Sequence, residues 1–217
     1  MFDHKSTRSW CVLNTAIPDD DTSSRSTVSR MPDQLVRLLI ERFGSDAEYI
    51  LDPFAGVGTT FRVASEFGIS GVGFEPDPRL YDVCRLHQSD ANVFNDVAQN
   101  ATLYDLPLCD LMLTSPPFEE KSLISAVGAS YLVTLMDIFS GMRRYLRRDA
   151  HVLVECVNIR LGGVVTRPLI SQYVEILSKL YIFLGEFVVC ESSENFNLYG
   201  YQHTTILIFV NSKNEQD

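Results

Sequence analysis

The segment Asp52-Pro53-Phe54-Ala55-Gly56-Val57-Gly58-Thr59-Thr60 brings an acid, two glycines and two hydroxyls together where an apolar run gives way to a helical pattern. A glycine turn at such a junction lets backbone come close to a ligand. The N–H groups that open the following helix can then receive its polar parts, in the crevice outside the strand ends. A second acid, Glu75, closes the next apolar run, Gly71-Val72-Gly73-Phe74. Its distance from the first suits a carboxylate that accepts hydrogen bonds from ribose hydroxyls. A carboxylate that merely faces solvent is the plainer alternative for Glu75, and the glycine turn ahead of it favours the ribose role. No Gly-x-x-x-x-Gly-Lys-Ser/Thr loop occurs, so the expected ligand is a nucleoside without a polyphosphate tail.

A second group follows Leu111-Met112-Leu113-Thr114: Ser115-Pro116-Pro117-Phe118. Two prolines after a buried strand hold the chain extended and remove two N–H donors, so nearby carbonyls face outward as acceptors. An amino-group substrate needs acceptors. The Ser115 hydroxyl and the Pro116 carbonyl can hold a base NH2 and aim its lone pair, with Phe118 as a stacking face for an extruded base. Taken alone, Pro-Pro-aromatic is equally a rigid strand-exit turn.

The elements that must position these groups alternate. An amphipathic helix is expected from Pro32 to Gly44, then strand 49–51 ending at Asp52, helix 59–67, strand 71–74, helix 78–87, a short strand near 92–94 and strand 111–113. A long helix 129–146, strand 151–157 and helix 168–180 follow, and two runs, 187–190 and 204–210, close the chain without a helix between them. That order predicts an α/β, Rossmann-like fold: a mostly parallel seven-stranded sheet with helices on both faces and an antiparallel C-terminal hairpin. Residues 1–30, polar apart from Trp10 to Leu13, read as an irregular arm. The catalytic domain then covers 31–211, and 212–217 is a disordered tail.

The 217 residues suit one such domain, and no run is long and apolar enough to span a bilayer, so a cytoplasmic protein without a membrane partner is expected. Five scattered cysteines without a Cys-x-x-Cys pair, and no His at zinc-ligand spacing, predict reduced thiols and no metal site. The net charge of −10 argues against a nucleic-acid partner, because phosphate affinity comes from clustered Lys and Arg. Arg143, Arg144, Arg147 and Arg148 offer a local basic group, although a solvated face is the preferred reading of their spacing. His151 reads as a satisfied sheet histidine, and His203 as structural at the start of the last strand.

Together the two segments resemble the amino-group DNA methyltransferases, which modify cytosine N4 or adenine N6. Asp52, Pro53, Phe54, Ala55, Gly56, Gly58, Thr59 and Thr60 are similar to that family's glycine loop for S-adenosyl-L-methionine. Glu75, with Pro76 after it, looks like its ribose-binding acid, and Ser115-Pro116-Pro117-Phe118 like its catalytic tetrapeptide. Upstream, Arg30-Met31-Pro32 resembles the segment that meets the methionine part of the cofactor; downstream, Gly200 to Phe209 resembles the closing strand. The residue facing the adenine amino group would be Asn100 with Ala101, or Asp96.

The serine in first place implies cytosine N4 rather than adenine N6, by direct in-line transfer after base flipping and without a cysteine nucleophile. The same amino methylation of adenine or of an RNA base, and a non-catalytic methyltransferase-like subunit, are the alternatives. The resemblance also implies DNA (alternatively RNA) as partner, a prokaryotic or phage origin and a restriction-modification setting. Target recognition would come from loops 119–128 or 195–202, from the arm, or from a homodimer or partner subunit.

Overall fold

The computed structural model describes residues 9–13, 30–87, 92–117, 128–161, 164–191 and 203–212. Within the expected arm, Trp10–Leu13 forms a strand, β1. Helix α1 (Asp33–Phe43) buries Leu35, Val36, Leu39 and Ile40 along one stripe. Pro32 stands just before it, where a missing N–H costs nothing, and its carbonyl accepts from the N–H groups of Leu35 and Val36. The Gly44 N–H closes the far end on the Ile40 carbonyl.

The alternation then runs β2 (Tyr49–Asp52), α2 (Thr59–Ser65), β3 (Ser70–Phe74), α3 (Pro78–His87), β4 (Asn92–Phe94), a 3-10 turn (Ala98–Leu103) and β5 (Cys109–Thr114). After it come α4 (Gly128–Met142), β6 (Leu146–Cys156), a hairpin of β7 (Ile159–Leu161) and β8 (Val164–Arg167), α5 (Leu169–Leu177), β9 (Ile182–Glu191) and β10 (His203–Val210).

The main sheet has the order β1-β9-β10-β6-β5-β2-β3-β4. β10 runs antiparallel to both β6 and β9, and the other pairings are parallel. The expected mostly parallel sheet with a closing antiparallel pair is present, with one correction. The sheet has eight strands, because β1 leaves the arm to pair with β9, Trp10 opposite Val188 and Leu13 opposite Glu191. Cys11 and Leu13 pack against the core while Trp10 and Val12 are exposed, an alternation that four residues of sequence are too short to advertise.

Two further boundaries differ from expectation. α4 stops at Met142, a 3-10 turn carries Arg143 to Tyr145, and β6 begins at Leu146, five residues before the expected strand. Asp149, at φ 63, interrupts β6 where the pairing with β5 jumps from Cys109–Leu146 to Leu111–His151. The hairpin β7–β8 falls in a stretch for which no structure was expected.

Side chains of α1, α2 and α3 fill one face of the sheet (Leu35, Leu39, Phe61, Cys84), and those of α4 and α5 the other (Leu135, Phe139, Tyr173, Leu177). Phe61 shows the fit. A Cβ on Gly71 or Gly73 would come within 2.5 Å of its ring, so the Gly-Val-Gly of β3 is the flat bed on which α2 lies. Each such fully buried side chain contributes roughly 1.5–3 kcal/mol.

β2 lies between β5 and β3. The chain goes from β2 to one side and returns on the other, so the crevice at the C-terminal ends of β2 and β5 is the switch point of the sheet. Both chemistry-bearing segments leave from there.

Candidate active site

Asp52, 2% exposed, ends β2 and ties three elements together. Its Oδ1 accepts the Phe54 N–H at 3.0 Å and the Thr114 hydroxyl at 2.6 Å, and its Oδ2 accepts the Thr60 hydroxyl at 2.8 Å. Thr60 belongs to α2, and Thr114 is the last residue of β5, directly before Ser115. One carboxylate thus joins the glycine loop to the strand that delivers the tetrapeptide. Burial pushes the Asp52 carboxyl up to about 6, against the opposing pull of the hydrogen bonds from Thr114, Thr60 and Phe54.

The loop between β2 and α2 turns on Gly56 (φ 54) and Gly58 (φ 83). Gly58 packs on Cys84 of α3, whose Sγ would lie 2.5 Å from an added Cβ. At Gly56, apart from its chain neighbours, no atom of the described residues lies within 4 Å of that position, so the backbone there is open on the side a Cβ would occupy. The Ala55 N–H bonds to the Phe74 carbonyl, pinning the loop to β3. Pro53 is buried, and Phe54 is half-buried, its ring 6.5 Å from that of Phe139. Thr59 and Thr60 are buried.

Glu75 leaves the end of β3 with its carboxylate held at both oxygens: Oε2 accepts the Gly56 N–H at 2.9 Å and Oε1 the Asp77 N–H at 2.8 Å. Burial raises its carboxyl above the ordinary range. The strand-end acid is therefore a structural partner of the glycine turn, and each oxygen keeps a further lone pair for a hydroxyl donor. The Asn95 side-chain amide donates to the carbonyls of Glu75 and Pro76, fixing the exit of β3.

The two alternatives for the adenine-facing residue prove to be one unit. The Asn100 amide donates to Asp96 Oδ1 at 2.8 Å and the Tyr104 hydroxyl to Asp96 Oδ2 at 2.8 Å. The Tyr104 and Asn100 bonds hold the Asp96 carboxyl below its usual range. The Ala101 carbonyl is engaged by the Tyr145 hydroxyl, which makes Ala101 a packing residue of that turn.

Met31 is buried against the core and Arg30 exposed at the start of α1. The start of α1 lies beside α2, the helix that follows the glycine loop, where Asp33 pairs with Arg62. In the tetrapeptide, Ser115 is half-buried, Pro116 buried and Pro117 exposed. Phe118 lies outside the described residues, as do 119–127 and 195–202.

Sequence reasoning missed three polar contributors: Thr114, Asn95 and Tyr131. The Tyr131 hydroxyl of α4 donates to the Pro117 carbonyl at 2.9 Å. Thr114 could have been flagged as a hydroxyl ending a buried strand; Tyr131 gave no local signal. The basic group lies elsewhere. Arg147 bonds to Asp110 at 2.8 Å, near the start of β5, at the opposite end of the sheet from Ser115. Asp110 also takes the N–H groups of Glu48 and Tyr49, so the arginine serves a structural join. His151 packs on Phe43, with ring centroids 5.3 Å apart, and burial lowers its pKa.

A DNA methylase family model of the N6/N4 type matches residues 3–85, which include the glycine loop and Glu75. Type II methyltransferase M.HindIII of Haemophilus influenzae is 32% identical over 72 residues, which are 33% of this chain and 23% of that protein. The chain thus spans about a quarter of the length of that relative.

Among solved structures, TrmN from Thermus thermophilus superposes with a TM-score of 0.59 at 14% identity, covering 86% of this chain and 50% of that one. An rRNA methylase from Streptococcus thermophilus gives 0.56 at 11% identity, covering 86% and 99%. N-methyltransferase NodS from Bradyrhizobium japonicum WM9 gives 0.56 at 13%, covering 83% and 93%. These likenesses carry the fold, and the family match is confined to residues 3–85. The chain thus has the Rossmann-like α/β fold seen in these solved methyltransferase structures, and its residues 3–85 are similar to the N6/N4 DNA methylases.

Proposed function

We propose that this protein methylates the exocyclic amino group of a base in DNA, cytosine N4 by preference. The observation that carries the reading is the Asp52 bridge. The same carboxylate that shapes the glycine loop bonds to Thr114, so a nucleoside held by the loop and an amino group held at Ser115 share one crevice.

S-adenosylmethionine, when bound, supplies an electrophilic methyl group. The open backbone at Gly56 and the remaining acceptor capacity of Glu75 suit its nucleoside part, and Arg30, Met31 and the Asp96–Asn100 pair line the same strand ends. Ser115 and Pro116 accept the N–H groups of the base. That orients the amine and draws its lone pair away from the ring, leaving it free for in-line attack. Phe118 offers the extruded base a stacking face. No covalent enzyme intermediate is required, and burial of Cys84, Cys109 and Cys156 holds their thiols high, unsuited to serve as nucleophiles. The serine at the head of the tetrapeptide is what favours cytosine. Among the described residues no helix is long and apolar enough to cross a membrane.

Tritium transfer from labelled cofactor to duplex DNA, single-stranded DNA and RNA, followed by digestion to nucleosides, tests the reading. N4-methylcytosine in DNA is the expected product, with Ser115→Ala at least about 100-fold slower. N6-methyladenine would overturn the base assignment. Methylated RNA alone would overturn the substrate. Cofactor binding without transfer to any of the three would point instead to a non-catalytic subunit.

A further inference from the structure

The Pro117 carbonyl ends a chain of hydroxyls that the proposed chemistry does not use. Tyr131, on the first turn of α4, donates to it at 2.9 Å, and the Tyr131 hydroxyl is itself hydrogen-bonded to that of Tyr173 on α5. Proton counting fixes the direction. A phenol carries one proton and a carbonyl can only accept, so Tyr131 spends its proton on Pro117 and must accept from Tyr173. The order is Tyr173 to Tyr131 to the Pro117 carbonyl.

Tyr173 is fully buried in the core among the residues of α4 and α5, and Tyr131 packs half-buried against it, so the chain is anchored in the core. Burial raises the pKa of Tyr131 to about 12, and that of Tyr173 well above its ordinary value. Both phenols remain proton donors throughout the neutral range, and neither serves as a base.

Pro116 and Pro117 have no N–H of their own with which to lock the turn, so its orientation depends on what grips its carbonyls. Tyr131 grips one. Among the described residues no donor reaches the Ser115 hydroxyl or the Pro116 carbonyl, the two groups assigned to the substrate amine. We propose that Tyr131 and Tyr173 are positioning residues. By engaging the Pro117 carbonyl from the core side, they hold the tetrapeptide in the rotation that presents Ser115 and Pro116 to the amino group. The proposal rests on the reading of Ser115 to Phe118 as the acceptor site.

Tyr131→Phe removes the grip and keeps the ring. Tyr173→Phe keeps the grip and removes the group that orients it. Steady-state methyl transfer to the nucleic acid that the unmodified protein methylates, cofactor affinity by calorimetry and thermal melting are measured for both, for the double variant and for Ser115→Ala. The expected result for Tyr131→Phe is a fall in kcat of about tenfold, the size of one hydrogen bond to a reacting frame, with KM and cofactor Kd within about twofold. Tyr173→Phe should lose about threefold, and the double variant no more than Tyr131→Phe alone, because the two act in series.

Equal losses in kcat, cofactor affinity and melting temperature would mark the tyrosines as packing groups and overturn the proposal. So would unchanged kcat in Tyr131→Phe while Ser115→Ala is inactive, a result that leaves the tetrapeptide reading standing. Full activity in Ser115→Ala, or an unmodified protein that methylates neither DNA nor RNA, would remove the acceptor site and the relay with it.

Discussion

Asp52 was legible in the sequence as an acid closing a strand, but its role was not. A family resemblance assigns the acid to the cofactor loop, whereas the structure also commits it to Thr114, 62 positions away. Its raised pKa sets the pH dependence. A carboxyl that titrates near 6 when folded and near 3.9 when unfolded holds its proton longer in the native state. Its contribution is therefore present below about pH 4 and is lost as the pH rises through about 6. Glu75, also raised, acts with the same sign.

Thr114→Val keeps the shape and removes one of the bonds that lower the Asp52 pKa, so it should extend the decline beyond pH 6. Urea unfolding is expected to show a cost of about 1 kcal/mol at pH 4, growing to about 2–3 kcal/mol at pH 8, as the acceptor becomes charged. A cost independent of pH would refute this account. Tyr131 and Tyr173 stayed invisible for a related reason. Forty-two residues separate them, and no spacing rule joins the first turn of one helix to the middle of another.

At the scale of elements, the alternating core of the fold could be read because its strands are short, apolar and bounded by Gly, Pro or acid. β2 and β5 end where Asp52 and Ser115 said they would. The failures share a cause. Helical periodicity continues through Tyr145 and Leu146, and Gly141 lies inside α4 rather than after it, so the expected helix ran into β6. The hairpin β7–β8 had a signal in the sequence, Gly162-Gly163 between two short apolar runs, that the helix–strand alternation does not use.

β1 is a strand through its partner rather than through its own pattern. If Cys11 and Leu13 are what seat it, Cys11→Asp with Leu13→Asp should release it at a cost of about 1–3 kcal/mol. Hydrogen exchange should then quicken at Val188, whose N–H bonds to the Ser9 carbonyl, while the amides of β2 and β5 keep their protection. Protection retained at Val188 would show that the backbone ladder alone holds the strand.

The sequence is acidic, with a net charge of −10. Arg147 is paired with Asp110 at the far end of the sheet. Binding to duplex DNA by this chain alone is therefore expected to depend weakly on salt, with a log–log slope shallower than about −3, equivalent to about three phosphates or fewer. Fluorescence anisotropy over a salt series measures it. A slope of about −6 or steeper would reveal a basic surface and contradict the reading of the arginines as structural.

β1 lies parallel to β9, and its residues Trp10 to Leu13 meet Val188 to Glu191, so the two ends of one strand pair are separated by nearly the whole chain. On a ribosome, β1 is made ahead of β9 and waits, at about 5–20 residues per second, for about 10–35 seconds until its neighbour in the described sheet has been made. The crevice strands β2 to β5 can assemble meanwhile. Among the described strands, this edge strand is thus made long before the partner that holds it, and its docking reports that β9 has been made.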